Sequence, residues 1–240
     1  MIHIVILAGG KGTRLYPVTL ETPKPLLTVN KKPIINYLID MFKKHGVQEI
    51  AITVRKGDFE DFSWWLKRWQ NVLSGVWVKL IVEEEPMGTF GLWSHQLHSW
   101  TAGERFFLTN GDELKDVDLS EMSKHHDKTG AFATIATVEV ENPSEYGVLV
   151  FDGEHVKSFL EKPANPPTKF ISSGLYLINP EVRGYLLEDI QKGNKFLMIE
   201  KDLFPKLAAE RKLAAYKSNG RWFDCGNLER WEKAIKEWGI

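Results

Sequence analysis

One short segment limits what this chain can fold into. The apolar run from Ile2 to Leu7 stops at Ala8-Gly9-Gly10-Lys11-Gly12-Thr13-Arg14-Leu15. A short apolar run ended by glycines predicts a strand buried on both faces, which is the habit of parallel sheets covered by helices. The following sequence repeats the theme. Pro33 opens a helix with Ile34, Ile35, Leu38, Ile39 and Phe42 on one face, and Gly46 stands where a helix C-terminal glycine belongs. Residues 49–54 predict the next strand, and Asp58 then caps a helix carrying Phe62, Trp65, Leu66 and Trp69. Strands at 77–82 and 105–109 flank a helix over 89–98. Alternation of this kind predicts a doubly wound α/β sheet.

The pattern changes after about residue 130. Strand-like runs at 132–140, 147–151, 155–160 and 170–178 follow one another with few helices between them, and helices return at 180–187, 199–210 and 227–238. The expected fold is α/β and Rossmann-like, a doubly wound, mixed but mainly parallel sheet in a single domain with two lobes, about 1–115 and about 116–240. The chain has 240 residues, 43% of them hydrophobic and 26% charged, as in ordinary globular proteins. Its 31 basic and 32 acidic side chains give no electrostatic reason to bind nucleic acid or an anionic membrane. No apolar run is long enough to span a bilayer and no leader is apparent, so a cytoplasmic protein is expected. A single cysteine, Cys225, excludes an internal disulfide and a multi-cysteine metal site.

The glycine-rich loop carries the chemistry. A Walker A loop would need glycine at Val5 and a hydroxyl residue at Gly12, and a dinucleotide fingerprint would need glycine at Leu15; both fail. What remains is a strand feeding three glycines, two cations and a hydroxyl. Bare backbone amides with Lys11 and Arg14 form a cradle for a polyphosphate. Ten residues after Arg14, Pro23 and Pro25 stiffen the backbone around Lys24 and aim its ammonium, which suits a ligand clamp. Asp112 ends the fourth strand, where open α/β sheets bind ligands. Asp224 precedes the last helix. Two hard carboxylates plus phosphate oxygens suit Mg²⁺.

The run GGKGTRLYPVTLETPKPLLTVNKKPI resembles the signature of the sugar-1-phosphate nucleotidylyltransferases, nearest in look to the mannose- or heptose-1-phosphate guanylyltransferases. The resemblance implies a nucleotide-binding half (about 1–115) and a sugar-phosphate-binding half (about 116–240). It places the nucleoside triphosphate on Leu7, Ala8, Gly9, Gly10, Lys11, Gly12, Thr13 and Arg14, with Lys24 at the reacting phosphates. Asp112 and Asp224 match the family's metal-holding aspartates. The sugar 1-phosphate is expected on Asn110, Gly111, Tyr146, Gly147, Glu161, Lys162, Ser173 and Gly174. The implied reaction is NTP + sugar 1-phosphate → NDP-sugar + pyrophosphate, with Arg14, Lys24, Asp112 and Lys162 as its catalytic residues. No general base is required, because a phosphomonoester with a second pKa of about 6 is already largely dianionic at neutral pH. An assembly of like copies is compatible with this reading.

Glu83-Glu84-Glu85-Pro86-Met87-Gly88-Thr89 resembles the family's base-reading loop, and the resemblance implies Glu83, Gly88 and Thr89 at the nucleotide. Ionised Glu83 only accepts hydrogen bonds, which tilts the choice toward guanine with its adjacent N–H donors. Phe90 replaces the small residue usual there. Thymidylyl, uridylyl or cytidylyl transfer to glucose 1-phosphate or another phosphoryl acceptor is the alternative, followed by a silent nucleotide-sugar sensor and a glycosyltransferase. The glycosyltransferase rests on Asp116-Val117-Asp118, better read as an N-cap with Glu121. His95 with His98 and His125 with His126 lack a third zinc ligand. Cys225 reads as a packing residue. Larger relatives add a C-terminal β-helix or acyltransferase domain, an activity not expected of a chain ending soon after Asp224.

Overall fold

The computed structural model describes residues 3–239 apart from 92, 98, 99 and 102; Ile2 and His98, at the ends of two expected elements, lie outside the described residues. In chain order the strands are β1 (His3–Leu7), β2 (Thr28–Val29), β3 (Lys32–Pro33), β4 (Glu49–Arg55), β5 (Trp77–Glu83), β6 (Phe106–Asn110), β7 (Glu113–Lys115), β8 (Ala133–Glu139), β9 (Gly147–Asp152), β10 (His155–Glu161), β11 (Phe170–Ile178), β12 (Leu213–Lys217) and β13 (Trp222–Asp224). The α-helices are α1 (Val18–Glu21), α2 (Ile34–Lys44), α3 (Phe59–Trp69), α4 (Leu119–Thr129), α5 (Leu187–Gln191), α6 (Phe204–Ala209) and α7 (Leu228–Glu237). Two compact units interleave along the chain: Met1–Pro86 with Thr109–Val117 and Gly220–Ile240, and Met87–Leu108 with Asp118–Asn219. β6 starts in the second and ends in the first.

The first unit carries the parallel pattern. β1 pairs parallel with β4 from His3↔Glu49 to Leu7↔Thr53, and β4 pairs parallel with β5. Ile4, Ile6, Ile50, Ile52 and Val54 are fully buried, as expected of strands covered on both faces. On α2, Ile34, Ile35, Leu38, Ile39 and Phe42 form the buried stripe, and Gly46 takes a left-handed φ of 75° just past the helix end. Asp58 stands at the start of α3 without capping it, because Arg55 takes both its carboxylate oxygens at 2.8 and 2.7 Å. A bidentate charge-assisted pair outweighs a single cap bond. β2 and β3 form a hairpin closed by Asn30 (φ 49°) and Lys31 (φ 66°). β7 and β13 form a second antiparallel ribbon, Asp224 opposite Glu113. Leu15, Val29, Ile34, Leu114, Cys225 and Ala234 share one core cluster.

The second unit corrects the expectation of a mainly parallel sheet. β11–β8, β10–β9, β10–β12 and β11–β9 are antiparallel, and β12–β8 is parallel. The cause is connection length. β9 and β10 are separated by two residues, Gly153 among them at φ 65°, and only an antiparallel hairpin closes over so short a link. Asp118 does cap α4, accepting from the N–H groups of Ser120 and Glu121, which disposes of the DxD reading. The helix expected over 89–98 is a turn followed by a π-helical segment, Trp93–Leu97. The segments after Pro180 and Ile199 likewise start as 3-10 and π turns before α5 and α6. Together the units make an α/β fold with mixed strand pairing.

Candidate active site

In the first unit, β1 delivers the glycine-rich loop to an open end. The Ala8 N–H donates to the Thr53 carbonyl at 2.9 Å, so the loop leaves the sheet from a fixed point. Gly12 adopts φ 65°, and its carbonyl accepts the Thr19 hydroxyl at 2.8 Å and the Leu15 N–H at 2.9 Å. A Cβ at Gly12 would stand 2.9 Å from Thr19 and 3.2 Å from Lys24 Cγ, so the lysine stem lies directly on the loop. Gly10 faces open space, and Gly10, Lys11, Thr13 and Arg14 are exposed. The loop is therefore pinned at both ends and bare in the middle.

Two carboxylates with cations already on them stand in the same unit. Lys24 Nζ is 2.7 Å from Asp112 Oδ2, with the lysine side chain only 11% exposed. Arg230, on α7, holds Asp224 Oδ2 at 2.6 Å. A Cβ at Gly226 would meet Asp224 Oδ1 at 2.6 Å and the Arg14 guanidinium at 3.2 Å, so Arg14 and Asp224 converge there. Gly111 ties the end of β6 to β1, its N–H donating to the Leu7 carbonyl at 2.9 Å. Asn110 turns its amide to Glu113 at 2.9 Å. Glu113 is buried, takes the Trp222 indole N–H at 3.0 Å and pairs with the fully buried Lys115 at 2.9 Å. Burial pushes the Glu113 carboxyl up, opposed by Lys115. Cys225 is fully buried, and its thiol is pushed well up by burial first and then by Asp112, Asp224 and Glu113, which is the opposite of an activated nucleophile.

Glu83 ends β5 and reaches back over the loop. Its Oε2 would be 2.4 Å from a Cβ at Gly9, so the carboxylate lies against that glycine. Burial holds its carboxyl above the ordinary range.

The second unit gathers the other expected positions. Gly88 has φ 71°, and a Cβ there would run into the Leu197 carbonyl at 2.4 Å. The Phe90 N–H donates to the Leu197 carbonyl at 2.9 Å, and the Leu197 N–H donates to the Met87 carbonyl at 3.0 Å. The Thr89 hydroxyl donates to Glu200 at 2.7 Å and accepts the Ile199 N–H at 2.9 Å. The turn at 88–90 and the segment at 197–200, far apart in sequence, are thus one piece of structure. Phe90 faces the core, stacked 4.7 Å from Trp93, and so leaves the loop surface unaltered. Burial pushes the Glu200 carboxyl up, Glu161 adding to this and Lys162 opposing it.

On the neighbouring hairpin, Lys162 holds φ 48°, a left-handed conformation unusual for lysine, with its N–H on the Tyr146 carbonyl at 3.1 Å. Its ammonium is 3.2 Å from Glu161. Gly147 is required by Phe159, whose Cζ would be 2.2 Å from a Cβ there. Gly174 (φ 64°) sits in the irregular stretch of β11 between Ser172 and Tyr176. Ser173 is fully buried with its hydroxyl on the Ala136 carbonyl at 2.8 Å, so its side chain serves the core.

The donor set fits a hard divalent ion. Asp112 and Asp224 offer oxygen only, and the backbone brings them together: the N–H of Cys225, next to Asp224, donates to the Asp112 carbonyl at 3.4 Å. Two protein carboxylates with phosphate oxygens completing the shell is a normal magnesium arrangement. Among the described residues no group of three or more His, Cys, Asp or Glu could hold a metal ion.

Residues 3–238 match the nucleotidyl transferase family. The chain belongs to this family. Within it, the chain is 36% identical over 226 residues to a probable mannose-1-phosphate guanylyltransferase of Oryza sativa subsp. japonica, and 35% identical over 225 residues to the catalytic subunit beta of the Xenopus tropicalis enzyme. Each match covers 92% of this chain but 60% of the relative's length. HddC from Yersinia pseudotuberculosis, crystallised with GMP-PN, is 28% identical, covers 99% of both chains and superposes with a TM-score of 0.79. UDP-glucose pyrophosphorylase complexed with UDP-glucose is 23% identical with a TM-score of 0.81, covering 98% of both chains; at that identity it speaks for the fold alone.

The sequence did not single out Thr19, Glu113, Lys115 or Arg230; Thr19, Glu113 and Arg230 each brace an expected position, and Lys115 pairs with Glu113. Glu113-Leu114-Lys115 did carry a signal, the period-two alternation of a strand with both charges on one face. Arg230 could have been found as the first-turn cation behind the Asn227 cap, whose side chain accepts the Arg230 N–H at 2.9 Å.

Proposed function

We propose that this chain transfers a guanylyl group from GTP to a mannose- or heptose-type sugar 1-phosphate, releasing pyrophosphate. The observation that carries the reaction class is the open loop from Gly9 to Arg14 with the Lys24–Asp112 pair at its edge. The choice of base leans on Glu83, which lies against Gly9 and in its ionised form only accepts hydrogen bonds, and on the relatives named mannose-1-phosphate guanylyltransferases.

In this reading the backbone amides of the loop, with Lys11 and Arg14, bind the triphosphate, and Glu83, Gly88 and Thr89 take the base. Glu161 accepts from sugar hydroxyls, and Lys162 neutralises the sugar phosphate. An oxygen of the sugar phosphate attacks the α-phosphorus in line as the bond to pyrophosphate breaks, and the pyrophosphate leaves with that electron pair. The attacking group is already ionised, so the protein's task is to hold two anions together. Lys24 is held ready for this by Asp112 and moves its charge to the phosphates when they arrive. Asp112 and Asp224 would hold Mg²⁺, which supplies charge neutralisation on phosphate oxygens when bound. Arg230 keeps Asp224 in place. The Rossmann-like, two-lobed description and a cytoplasmic setting belong to the same proposal; no described helix is long and apolar enough to cross a membrane.

Pyrophosphate release measured over GTP, ATP, CTP, UTP and dTTP, each against mannose, heptose and glucose 1-phosphates, tests the proposal. Release is expected to be fastest with GTP and a mannose-type acceptor. Fastest release with dTTP or UTP and glucose 1-phosphate would reject the assignment of base and sugar, and none with any pair would reject the reaction.

A further inference from the structure

The first unit holds a cavity of about 580 Å³ that none of the assigned residues lines, a volume typical of small-molecule sites. α3 supplies Trp64, Trp65, Trp69, Lys67 and Arg68, and the β2–β3 turn supplies Lys31. Trp65 is buried, and its indole N–H is fixed on Asn36 at 2.7 Å. Trp64 is 69% exposed, with the Lys67 ammonium 5.5 Å from its ring centre. Solvent-facing tryptophan beside a cavity is surface that water covers poorly, and it suits a planar ring.

The charges point the same way. Among the described residues, no carboxylate pairs with Lys31, Lys67 or Arg68, whereas Lys32, next to Lys31, is paired with Asp40. Basic residues in the last turn of α3 suit the helix dipole. That does not account for Lys31, which comes from a different element and is presented by a left-handed backbone (φ 66°). Three unneutralised cations from two elements around an aromatic wall, in a chain of net charge −1, form a site for an anion carrying a flat ring.

We propose that this cavity is a second, non-catalytic nucleotide site, with the base laid on Trp64 and Trp69 and the phosphates on Lys31, Lys67 and Arg68. Leu26 lines the cavity and closes the three-residue turn that begins at Lys24. An occupant therefore acts on the position of the lysine paired with Asp112, which makes the site regulatory.

Equilibrium dialysis of the full chain with GDP as the probe reads the site without turnover. The Lys67→Ala/Arg68→Ala double variant is expected to bind one GDP fewer per chain than the parent, and Trp64→Ala to weaken that site by about tenfold, the loss of one base stack. These changes sit on exposed parts of α3, and an unchanged melting curve verifies the fold. Equal stoichiometry in parent and double variant, or pyrophosphate binding there as tightly as GDP, would overturn the proposal. GTP and GDP-mannose in parallel arms distinguish substrate from product as the natural occupant. In turnover, GDP is expected to change both kcat and KM in the parent and to compete simply with the triphosphate in the double variant; simple competition in both would overturn the regulatory role.

Discussion

Gly9→Ala isolates the proposed role of Glu83. The added Cβ would stand 2.4 Å from Glu83 Oε2, about 1 Å short of ordinary contact. The clash falls on the far end of a flexible side chain, so the carboxylate swings away at a cost of about 0.5–1.5 kcal/mol in rotamer strain, and the fold survives. The position of the carboxylate does not. Displacing a binding group by about 1 Å can cost up to about 100-fold in kcat/KM, and the loss is expected with GTP more than with dTTP. The decisive measurement is a double-mutant cycle with Glu83→Ala. If Gly9 acts by leaving room for the carboxylate, then Gly9→Ala costs almost nothing once Glu83 is gone, and the coupling accounts for most of the single-variant loss. Additive losses would show that the methyl obstructs the triphosphate itself, and the base-reading argument would be wrong.

Asp112→Asn and Asp224→Asn are each expected to lower turnover by about 10²–10³-fold while urea midpoints stay close to the parent, and near-normal rates from both would reject the metal assignment. Gly147→Ala drives a methyl to 2.2 Å from the Phe159 ring, which is 7% exposed, and should cost about 1–3 kcal/mol in urea unfolding; Phe159→Leu should restore much of it. Glu83→Gln is expected to raise the melting temperature at alkaline pH. Burial raises the folded-state pKa of Glu83, so the charged form opposes folding above that value, and the gain should shrink as pH falls toward the unfolded carboxylate range. An equal gain at both ends of that range would refute the burial argument. Cys225 should resist alkylation in the native protein and react only on unfolding.

The sequence and the fold agree best where one period governs a segment. The α2 stripe of Ile34, Ile35, Leu38, Ile39 and Phe42 is fully buried, and the run expected at 170–178 is the strand Phe170–Ile178. Agreement fails where a competing side chain, or a partner distant in sequence, decides the outcome. Asp58 has every local qualification for a cap and spends its carboxylate on Arg55. β7 and β13 are three residues each, too short to be assigned from their own alternation alone, and exist because Asp224 and Glu113 meet across 110 residues of chain. The site shows the same division. Its glycines and cations are contiguous and legible, whereas the contact between Thr89 and Glu200 joins residues 111 apart and leaves no trace in either segment alone.

The paired charges of the first unit also constrain what must accompany the nucleotide. Asp112, Glu113 and Asp224 each carry a cation in place, from Lys24, Lys115 and Arg230, so these six groups offer almost no net charge. Beyond them the loop carries Lys11 and Arg14, the latter converging with Asp224 at Gly226, and Glu83 opposes both, its ionisation disfavoured by burial. A triphosphate bringing about four negative charges therefore meets at most about two positive ones unless existing pairs open. Opening Lys24 from Asp112 gains a cation for the phosphates and strands a carboxylate that is 29% exposed beside them. The stranded carboxylate would repel the substrate unless a positive ion replaced the lysine on it. A divalent ion entering with the triphosphate satisfies both demands at once, so the Lys24–Asp112 pair argues for coupled arrival of metal and nucleotide. Metal affinity for the chain alone should accordingly be far weaker than in the presence of a non-hydrolysable triphosphate, and equal affinity in the two titrations would refute that coupling.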